Sequence, residues 1–497
     1  MIYFYQLLQN IYGDTFLLGD YFLFFTTLHF IAVACIGLHL IWVRRTVSVA
    51  LAWLGVVLIF PFLGLIAYFL IGGKSIGRAL MDKAENLKDA LQQQLNAAFS
   101  FYQADQDQLP FEEKAISRLA ASHFGSPVVA GNRIDLLTDS LTILSHFIAD
   151  IEAAKKSLHL EFYIWAIGGD ADKVAEALIR AAKRGIDCKV LLDSLGSKDW
   201  LNSAWPERLR DAGVELIAAL PIHFGNFQFR RVDLRLHRKI FVIDEVIVWT
   251  GSMNLVDPRT FKQDANVGEW VDAMLRVQGP VVSEFETTFQ IDWSVCNPRV
   301  TQFYPRSFQQ QILPGTILAQ KLSTGPIARD DILYQFILSA LIDARESLII
   351  TTPYFGADDG LMQALMASAH RGVDVTLIVP KKNDSKLVAL SSRSYYEELI
   401  AAGVRIAEFN GGLLHTKSLL IDRRMAMFGS VNFDMRSLHL NFEISLLVYN
   451  TEFCQRLNAL LQTYIQKSSF VDPVAWAKRS RLQRLKENAA YLISPLL

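Results

Sequence analysis

The sequence predicts an α/β protein in which an N-terminal transmembrane helical hairpin is followed by two duplicated α/β lobes related by a pseudo-dyad. Three observations lead to this prediction. Two long uncharged runs lie near the N-terminus, strand-like and helix-like segments alternate later in the chain, and the second half repeats the pattern of the first. A chain of 497 residues is also long enough for more than one domain.

The composition of the chain indicates a membrane partner and argues against nucleic acid. Hydrophobic residues make up 51% of the sequence although 20% of it is charged, and the mean hydropathy is +0.23. Lysine and arginine number 49 against 50 acidic residues, so there is no overall positive charge to hold a polyphosphate backbone. We therefore expect a lipid bilayer as a partner and no nucleic acid.

The sequence predicts neither a metal nor a cofactor. The four cysteines form no C-x-x-C pair and are interpreted as unpaired thiols, which suits a reducing compartment. The chain contains no H-E-x-x-H motif, no complete P-loop and no dinucleotide-binding fingerprint.

Two uncharged runs near the N-terminus are long enough to cross a bilayer. They cover about residues 21–43 and about residues 47–73, the second with Pro61 as an expected kink. At about 1.5 Å per residue, roughly 20 helical residues span a hydrocarbon core of about 30 Å. A signal peptide is the alternative for the first run, but this run has no basic leader and the second run follows at once. We predict two transmembrane helices.

Such a hairpin would return the chain to the side of the membrane on which it started. The connecting loop holds Arg44 and Arg45, whereas residues 1–20 hold no lysine or arginine. The exit from the second run carries a larger basic cluster, formed by Lys74, Arg78, Lys83 and Lys88. By the positive-inside rule, this larger cluster favours a cytoplasmic main body.

The remainder of the chain divides into a helical linker and two similar lobes. We place the linker at residues 76–125, the first lobe at 126–315, and the second lobe with its C-terminal tail at 316–497. In the first lobe, "SLHLEFYIW", "ADKVAEALIRAAKRG" and "IDCKVLLDSLG" follow the strand, helix, strand order of a mainly parallel sheet. "ARESLIITTPYF", "RGVDVTLIVP" and "AGVRIAEF" repeat first-lobe segments at an offset of about 190 residues. Two lobes of this kind normally enclose a cleft.

Each repeat ends in the same polar motif, H-x-K-x-x-x-x-D followed by G-S-x-N. Its members in the first copy are His237, Lys239, Asp244, Ser252 and Asn254. Its members in the second copy are His415, Lys417, Asp422, Ser430 and Asn432. One copy alone is weak evidence, because a histidine and a lysine two positions apart arise by chance. Two copies at the same place in a repeat indicate a site.

The spacing within the motif suits the binding of an anion. Residues i and i+2 of a strand share a face, so the histidine and lysine of each copy point to the same side. Imidazole and ammonium groups attract a phosphate, the asparagine amide adds a donor, and the aspartate can hold backbone amides or orient a partner. The alternative is a pair of structural histidines, each beside a lysine that reaches solvent, and it has to arise twice in the same chain.

The doubled motif resembles the signature of the phospholipase D superfamily, and nearly the whole chain is similar to the bacterial cardiolipin synthases. The closer resemblance rests on "ALAWLGVVLIFPFLGLIAYFLIGG" in the second uncharged run, on "EFYIW", on "FGSVNFDMRSLHLNFE" and on the C-terminal "ISPLL". It implies that both lobes are phospholipase D-like. In "GSMNLVDPRTFKQDANVGEW", Glu269 is taken as the counterpart of Glu443 in the second lobe.

The resemblance also implies roles for these residues in a phosphodiester exchange through a phosphohistidine. His237 is assigned as the nucleophile and His415 as the general acid and base. Glu269 and Glu443 would each orient a histidine. The resemblance implies that the lysines and aspartates of the motif are also catalytic. These are Lys239, Lys417, Asp244 and Asp422. The two lysines would also hold the nonbridging oxygens of the phosphate, and the other side chains expected to bind it are Asn254, Asn432, Ser252 and Ser430.

The implied reaction is phosphatidyl transfer from one phosphatidylglycerol to another, which gives cardiolipin and glycerol without a cofactor. The implied location is a multi-pass position in the bacterial cytoplasmic (inner) membrane, with membrane phospholipids as partners and an oligomeric state that the sequence does not predict. A hydrolase of the same superfamily, or a transferase that uses another alcohol, would employ the same residues. A nuclease is disfavoured by the balanced charge, and a non-enzymatic lipid scaffold by the two intact motifs.

Two further segments can meet the membrane. Residues 223–236, "HFGNFQFRRVDLRL", have no counterpart in the second repeat and form either a lip over anionic headgroups or an inserted edge hairpin. The tail "AWAKRSRLQRLKENAAYLISPLL" has an apolar helical face that either lies in the membrane interface or packs on the second lobe. This face consists of Trp476, Leu482, Leu485, Ala489 and Leu492.

Overall fold

A computed structural model describes residues 14–44, 47–72, 82–84, 86–87, 102–104, 109–221, 233–300, 313–325 and 331–493. The chain forms two compact units, one made mainly of Met1–Ser75 and the other of Ile76–Phe227 and Leu234–Pro495. Most of the expected lip at residues 223–236 and half of the expected helical linker at residues 76–125 fall outside the described residues.

The described part of the first unit contains three apolar helices. They are α1 (Asp14–Trp42), α2 (Val47–Ile59) and α3 (Leu63–Ile71). Within the described part of the chain, only Leu23–Trp42 is long and apolar enough to cross a membrane, with a mean hydropathy of 2.0. This segment coincides with the first predicted span.

The second uncharged run doubles back at Pro61 instead of continuing as one kinked helix. The ring centroids of Trp53 on α2 and Tyr68 on α3 are 5.3 Å apart, whereas a straight helix would separate these positions by about 22 Å. Proline has no N–H and cannot continue the hydrogen-bond ladder, which favours a turn here. Gly64 allows the close contact, because a Cβ atom there would lie 2.6 Å from the backbone of α2. The second run is therefore two packed helices in place of one kinked helix.

In the second unit, α4 (Glu113–Phe124) precedes two similar series of strands and helices. The first series comprises β1 (Val129–Leu137), α5 (Ser140–Ala153), β2 (Ser157–Phe162), α6 (Asp170–Lys183), β3 (Asp187–Asp193), α7 (Lys198–Leu201), α8 (Trp205–Asp211), β4 (Glu215–Ala219), β5 (Ile240–Ile243), β6 (Ile247–Gly251), a 3₁₀ turn (Gln263–Ala265), β7 (Trp270–Val271), β8 (Met274–Gln278) and α9 (Val282–Cys296).

The second series occupies the rest of the unit. It comprises β9 (Ile317–Thr324), α10 (Ile332–Asp343), β10 (Ser347–Thr351), β11 (Phe355–Gly356), α11 (Asp359–His370), β12 (Asp374–Pro380), α12 (Lys386–Ser394), α13 (Tyr396–Ala401), β13 (Arg405–Phe409), β14 (Leu413–Leu414), β15 (Ser418–Ile421), β16 (Met425–Gly429), β17 (Phe433–Asp434), α14 (Met435–His439), β18 (Glu443–Tyr449), α15 (Thr451–Gln466), β19 (Ser468–Phe470), α16 (Pro473–Ala477) and α17 (Arg481–Ile493).

Both repeats contribute to a single sheet of 15 strands. Its order is β19-β13-β12-β10-β15-β16-β18-β9-β1-β8-β6-β5-β2-β3-β4. Equivalent strands of the two repeats therefore lie at equal distances on either side of the β9–β1 pair. Pairing is parallel along β2-β3-β4 and along β10-β12-β13, but antiparallel through the central strands. The expected duplication is present, whereas the expectation of a mainly parallel sheet is wrong, because hairpins such as β5–β6 bring the chain back beside itself.

A shared core holds the two repeats together on one face of the sheet. Val282 and Phe285 of α9, together with Phe453 and Leu457 of α15, belong to one buried apolar cluster. These two helices occupy equivalent places in the two repeats. Because the sheet and this core both run across the repeat boundary, the ends of β5 and β15 are held in a fixed relation.

Candidate active site

The two motif histidines lie just before β5 and β15, where each repeat pairs with the other. The His237 N–H donates to the Phe442 carbonyl at 3.0 Å, and the His415 N–H donates to the Val271 carbonyl at 2.8 Å. The short strands β14 and β7 pair in parallel next to the second of these contacts. Backbone hydrogen bonds between the repeats therefore position both histidines.

Each histidine contacts a carboxylate that comes from the other repeat. His237 Nδ1 lies 2.9 Å from Glu443 Oε2, and His415 Nδ1 lies 2.7 Å from Asp272 Oδ1. A carboxylate accepts a hydrogen bond, so we assign the proton of each neutral ring to Nδ1. Each Nε2 then carries a free electron pair for attack or proton transfer.

Asp272 occupies the position that we had expected for Glu269. The Glu269 side chain is exposed, and its backbone carbonyl accepts a hydrogen bond from the Leu413 N–H at 2.9 Å. The expectation for Glu269 is wrong because the segment between G-S-x-N and the acid is longer in the first repeat than in the second. The position of the next strand could have identified Asp272. Glu443 begins β18, and Asp272 lies two residues before β8, the equivalent strand of the first repeat.

The motif serines contact these carboxylates, which corrects their expected role in phosphate binding. The Ser430 hydroxyl donates to Glu443 at 2.5 Å, and the Ser252 hydroxyl donates to Asp272 at 2.6 Å. Both serines are fully buried. Each repeat therefore supplies a serine and an acid that together fix the histidine of the other repeat.

The motif lysines are buried beside the histidines. The Nζ atoms of Lys239 and Lys417 each donate at 2.6 Å to the backbone carbonyl of the histidine two residues earlier. An ammonium group has three donors, so two remain on each lysine for a substrate. Burial lowers the pKa of Lys239 to about 8 and lowers that of Lys417 as well.

The motif asparagines retain polar atoms without hydrogen-bond partners among the described residues. Asn254 accepts from the Ile164 N–H at 3.2 Å through Oδ1, and its buried Nδ2 has no such partner. The buried side-chain oxygen of Asn432 also has no such partner. A flip of the amide would place its nitrogen there, so this position can offer either a donor or an acceptor. A buried unpaired amide is costly, so both positions suit a polar ligand.

The motif aspartates lie away from the histidines, at the far ends of β5 and β15. Asp244 accepts from the N–H groups of residues 155–157 at 2.6–2.9 Å, and Asp422 accepts from those of 345–347 at 2.7–3.2 Å. Five residues of extended chain separate each aspartate from the motif lysine by roughly 16 Å. The expected catalytic assignment is corrected: both aspartates hold the backbone at the start of neighbouring strands.

We predict that Asp422→Ala destabilises the protein and leaves the chemistry of the folded molecules nearly unchanged. Three backbone N–H groups lose their acceptor, at an expected cost of about 1–3 kcal/mol in the free energy of unfolding. Thermal unfolding and the initial rate per folded molecule measure the two effects. Asp374→Ala is the matched control, because Asp374 is exposed at the start of β12. Unchanged stability together with a large loss of rate would indicate that Asp422 acts in catalysis.

Burial favours the neutral form of both imidazoles. It lowers the pKa of His237 and of His415 to about 4, and the nearby lysine charges act in the same direction against the opposing carboxylates. Although burial alone would raise the pKa of Glu443 and Asp272, charge interactions and hydrogen bonds hold both pKa values below their ordinary range. A bound phosphodiester anion would favour protonation of one imidazole.

Two aromatic side chains lie against the histidines, and neither was predicted from the sequence. Tyr163 meets His237 edge to face with ring centroids 5.1 Å apart, and Trp270 lies 4.3 Å from His415. Their counterparts in the other repeat are Pro353 and Asn441. The two halves of the site are therefore alike in their motifs and different in their walls.

Across the described ranges, no group of three or more His, Cys, Asp and Glu side chains could hold a metal ion.

Family models match both repeats and the N-terminal helices of this chain. The family model described as "Cardiolipin synthase, PLD-like domain" matches residues 147–293 and 337–465, which together hold both motifs. The chain belongs to the cardiolipin synthase family. The family model described as "Phospholipase_D-nuclease N-terminal" matches residues 30–73.

Curated relatives extend the similarity along nearly the whole chain. "Cardiolipin synthase A" from Salmonella arizonae is 41% identical over 473 residues, which cover 94% of this chain and 97% of that protein. The protein of the same name from Salmonella paratyphi B is 40% identical with the same coverage. Among solved structures, phosphatidylserine synthase from Haemophilus influenzae matches with a TM-score of 0.58 and 18% identity, and covers 77% of this chain and 100% of its own. That structure supports the phospholipase D-like fold.

Proposed function

We propose that this protein transfers a phosphatidyl group from one phosphatidylglycerol to a second one, giving cardiolipin and glycerol. The observation that carries the proposal is the pair of buried histidines, each beside a lysine of its own repeat and a carboxylate of the other. The relatives named cardiolipin synthase support cardiolipin as the product. The chemistry of the site by itself supports phosphodiester exchange.

The first step forms a covalent intermediate. His237 Nε2 attacks the phosphorus of phosphatidylglycerol, and the bond from phosphorus to the glycerol oxygen breaks. His415 carries a proton on Nε2 in this step and gives it to the departing alkoxide. The charge of the bound phosphate and of Asp272 favours that protonated state.

The second step returns both histidines to their starting states. The terminal hydroxyl of another phosphatidylglycerol loses its proton to His415 and attacks phosphorus, and the bond from phosphorus to His237 breaks. The ammonium groups of Lys239 and Lys417 and the Asn254 amide are the donors proposed to hold the nonbridging oxygens during both steps. The unequal aromatic walls of the two half-sites favour unequal roles for the two histidines.

Incubating the purified protein with cardiolipin and excess glycerol is expected to yield phosphatidylglycerol without any nucleotide. The reaction exchanges one phosphodiester of a primary alcohol for another, so its free energy is near zero. A tenfold change in product ratio then shifts it by only about 1.4 kcal/mol. Mass spectrometry of the lipids from defined vesicles measures the direction.

Three outcomes of this experiment separate the candidate activities. Accumulation of phosphatidylglycerol supports transfer between lipids. Phosphatidic acid as the only product assigns the protein as a hydrolase, which transfers the phosphatidyl group to water. A strict requirement for a nucleotide-activated lipid contradicts the proposal. The protein with His415→Ala is the control for background exchange.

We also propose that the chain crosses the membrane once, through α1, and that residues 47–72 enter and leave on the same side. Helix α2, with 13 residues, and α3, with 9, are about 20 Å and 14 Å long, and each is shorter than a hydrocarbon core of about 30 Å. The contact between Trp53 and Tyr68 supports a turn back within the same leaflet.

A single crossing also makes the charges consistent. With two crossings, Arg44 and Arg45 would lie on the side opposite to the basic cluster that starts at Lys74. With one crossing, all these bases share a side, and residues 1–20, which carry no lysine or arginine, lie on the other. The positive-inside rule then assigns the cytoplasm to the residues that follow Lys74.

We expect an impermeant thiol reagent to label Asn10→Cys in intact cells and to label Gln363→Cys only after the membrane is opened. Gln363 is exposed on α11, so protection there reports the compartment and not burial. Protection of both positions in intact cells supports two crossings instead. Rapid labelling of Gln363→Cys in intact cells contradicts a cytoplasmic body.

A further inference from the structure

The C-terminal helix α17 presents an apolar row that no other part of the described chain covers. Leu482, Leu485 and Leu492 are 62%, 65% and 72% exposed, and Ala489 is exposed between them. At 100° per residue these four side chains lie within one arc of the helix surface. The sequence left open whether this face packs on the second lobe, and the structure places it toward solvent.

The opposite side of α17 is firmly attached to the protein. Glu487 is fully buried and accepts hydrogen bonds from Arg393 at 3.3 Å and from Arg479 at 3.1 Å. The guanidinium groups of these two arginines lie 4.7 Å and 4.2 Å from the ring centroid of Trp476. Trp476, which the sequence reading grouped with the leucines, therefore belongs to the attachment. The exposed row is held in a defined orientation by this cluster.

The charges beside the row have one sign. Arg481 and Lys486 flank the leucines on either side, and Lys478 is exposed just before the helix. The single acidic side chain between residues 478 and 492 is Glu487, which is buried and paired. A leucine row bordered by bases is the pattern of a helix that lies in the headgroup region of an anionic bilayer.

We propose that α17 docks on the membrane surface, with its leucine row in the headgroup region and its flanking bases on anionic phospholipid. This contact is additional to the N-terminal helices and does not depend on the proposed reaction. A second copy of the chain fits less well, because a row about 15 Å long on a helix about 10 Å wide offers only roughly 150 Å², far below the roughly 800 Å² per partner of a stable interface. A two-fold dimer through this face would also bring like charges together.

Spin labelling of the full chain in vesicles tests the docking. A nitroxide is attached to Leu485→Cys or, as a matched control, to Gln455→Cys on α15, where Gln455 is exposed. Both variants carry Cys35→Ser, and the Cys35→Ser protein without an added cysteine sets the background. Relative access of oxygen and of a water-soluble nickel complex gives the depth of each label. The vesicles are phosphatidylcholine with or without phosphatidylglycerol.

We expect the label at position 485 to become severalfold more accessible to oxygen than to nickel when phosphatidylglycerol is present, while the label at 455 stays aqueous. Arg481→Gln with Lys486→Gln should return the label at 485 toward water, as should high salt. An aqueous label at 485 in both vesicles overturns the proposal. Dipolar broadening between labels that is independent of phosphatidylglycerol also overturns it and assigns the face to a second copy. Lipid exchange measured in detergent on the same variants reports the proposed reaction separately.

Discussion

His237→Ala and His415→Ala are each expected to lower cardiolipin formation by about 10³-fold or more. One imidazole cannot both carry the phosphatidyl group and move the proton of the alcohol. The two histidines are held by hydrogen bonds from different repeats. Loss of one imidazole therefore leaves the other in position but removes the second group that the reaction needs. Conversion of phosphatidylglycerol to cardiolipin in defined vesicles, followed by mass spectrometry, measures the effect. His370→Ala is the control, because His370 is exposed at the end of α11.

The two alanine variants should differ in one respect. A phosphoprotein that is labile to acid should be trapped from substrate in His415→Ala, because the nucleophile remains and the second step is slow. None should be trapped in His237→Ala. The reverse pattern would exchange the assigned roles, and adducts in both variants would contradict a single nucleophile.

Asp272→Asn is expected to lower turnover by about 10²- to 10⁴-fold, as loss of the carboxylate does in other carboxylate–histidine pairs. An amide at this position can offer its N–H₂ group to His415 Nδ1, which favours the ring tautomer with the proton on Nε2. The imidazole then cannot take a proton from the incoming alcohol. Glu269→Gln should leave turnover almost unchanged, because the Glu269 side chain is exposed and Asp272 contacts the histidine.

This pair of variants decides between the acid chosen from the sequence and the acid seen in the structure. Glu443→Gln is the matched variant in the other half of the site and should lose activity to a similar degree. Thermal unfolding of all three variants shows whether a loss of rate reflects a loss of fold. A large effect of Glu269→Gln with little effect of Asp272→Asn would contradict the geometry described here.

Features that depend on local spacing could be predicted from the sequence. The doubled motif, the repeat and the first apolar helix of membrane-spanning length follow from patterns within short windows, where residue type alone determines the periodicity. The similarity of the two copies identified His237 and His415 as a pair without any knowledge of their separation. The backbone-holding role considered for Asp244 and Asp422 also follows from chain geometry, since each follows a short buried strand.

Features that depend on contacts between distant residues required the tertiary structure. The acid beside each histidine comes from the other repeat, 206 residues away for Glu443 and 143 for Asp272, and a strand that pairs across repeats leaves no periodic trace at such a separation. The motif serines face the acid of their own repeat, 13 residues away for Ser430 and 20 for Ser252, and these contacts depend on how the strands pair. The return of α2 and α3 at Pro61 depends on packing between Trp53 and Tyr68, and a run of apolar residues reads alike whether it crosses a membrane or folds back.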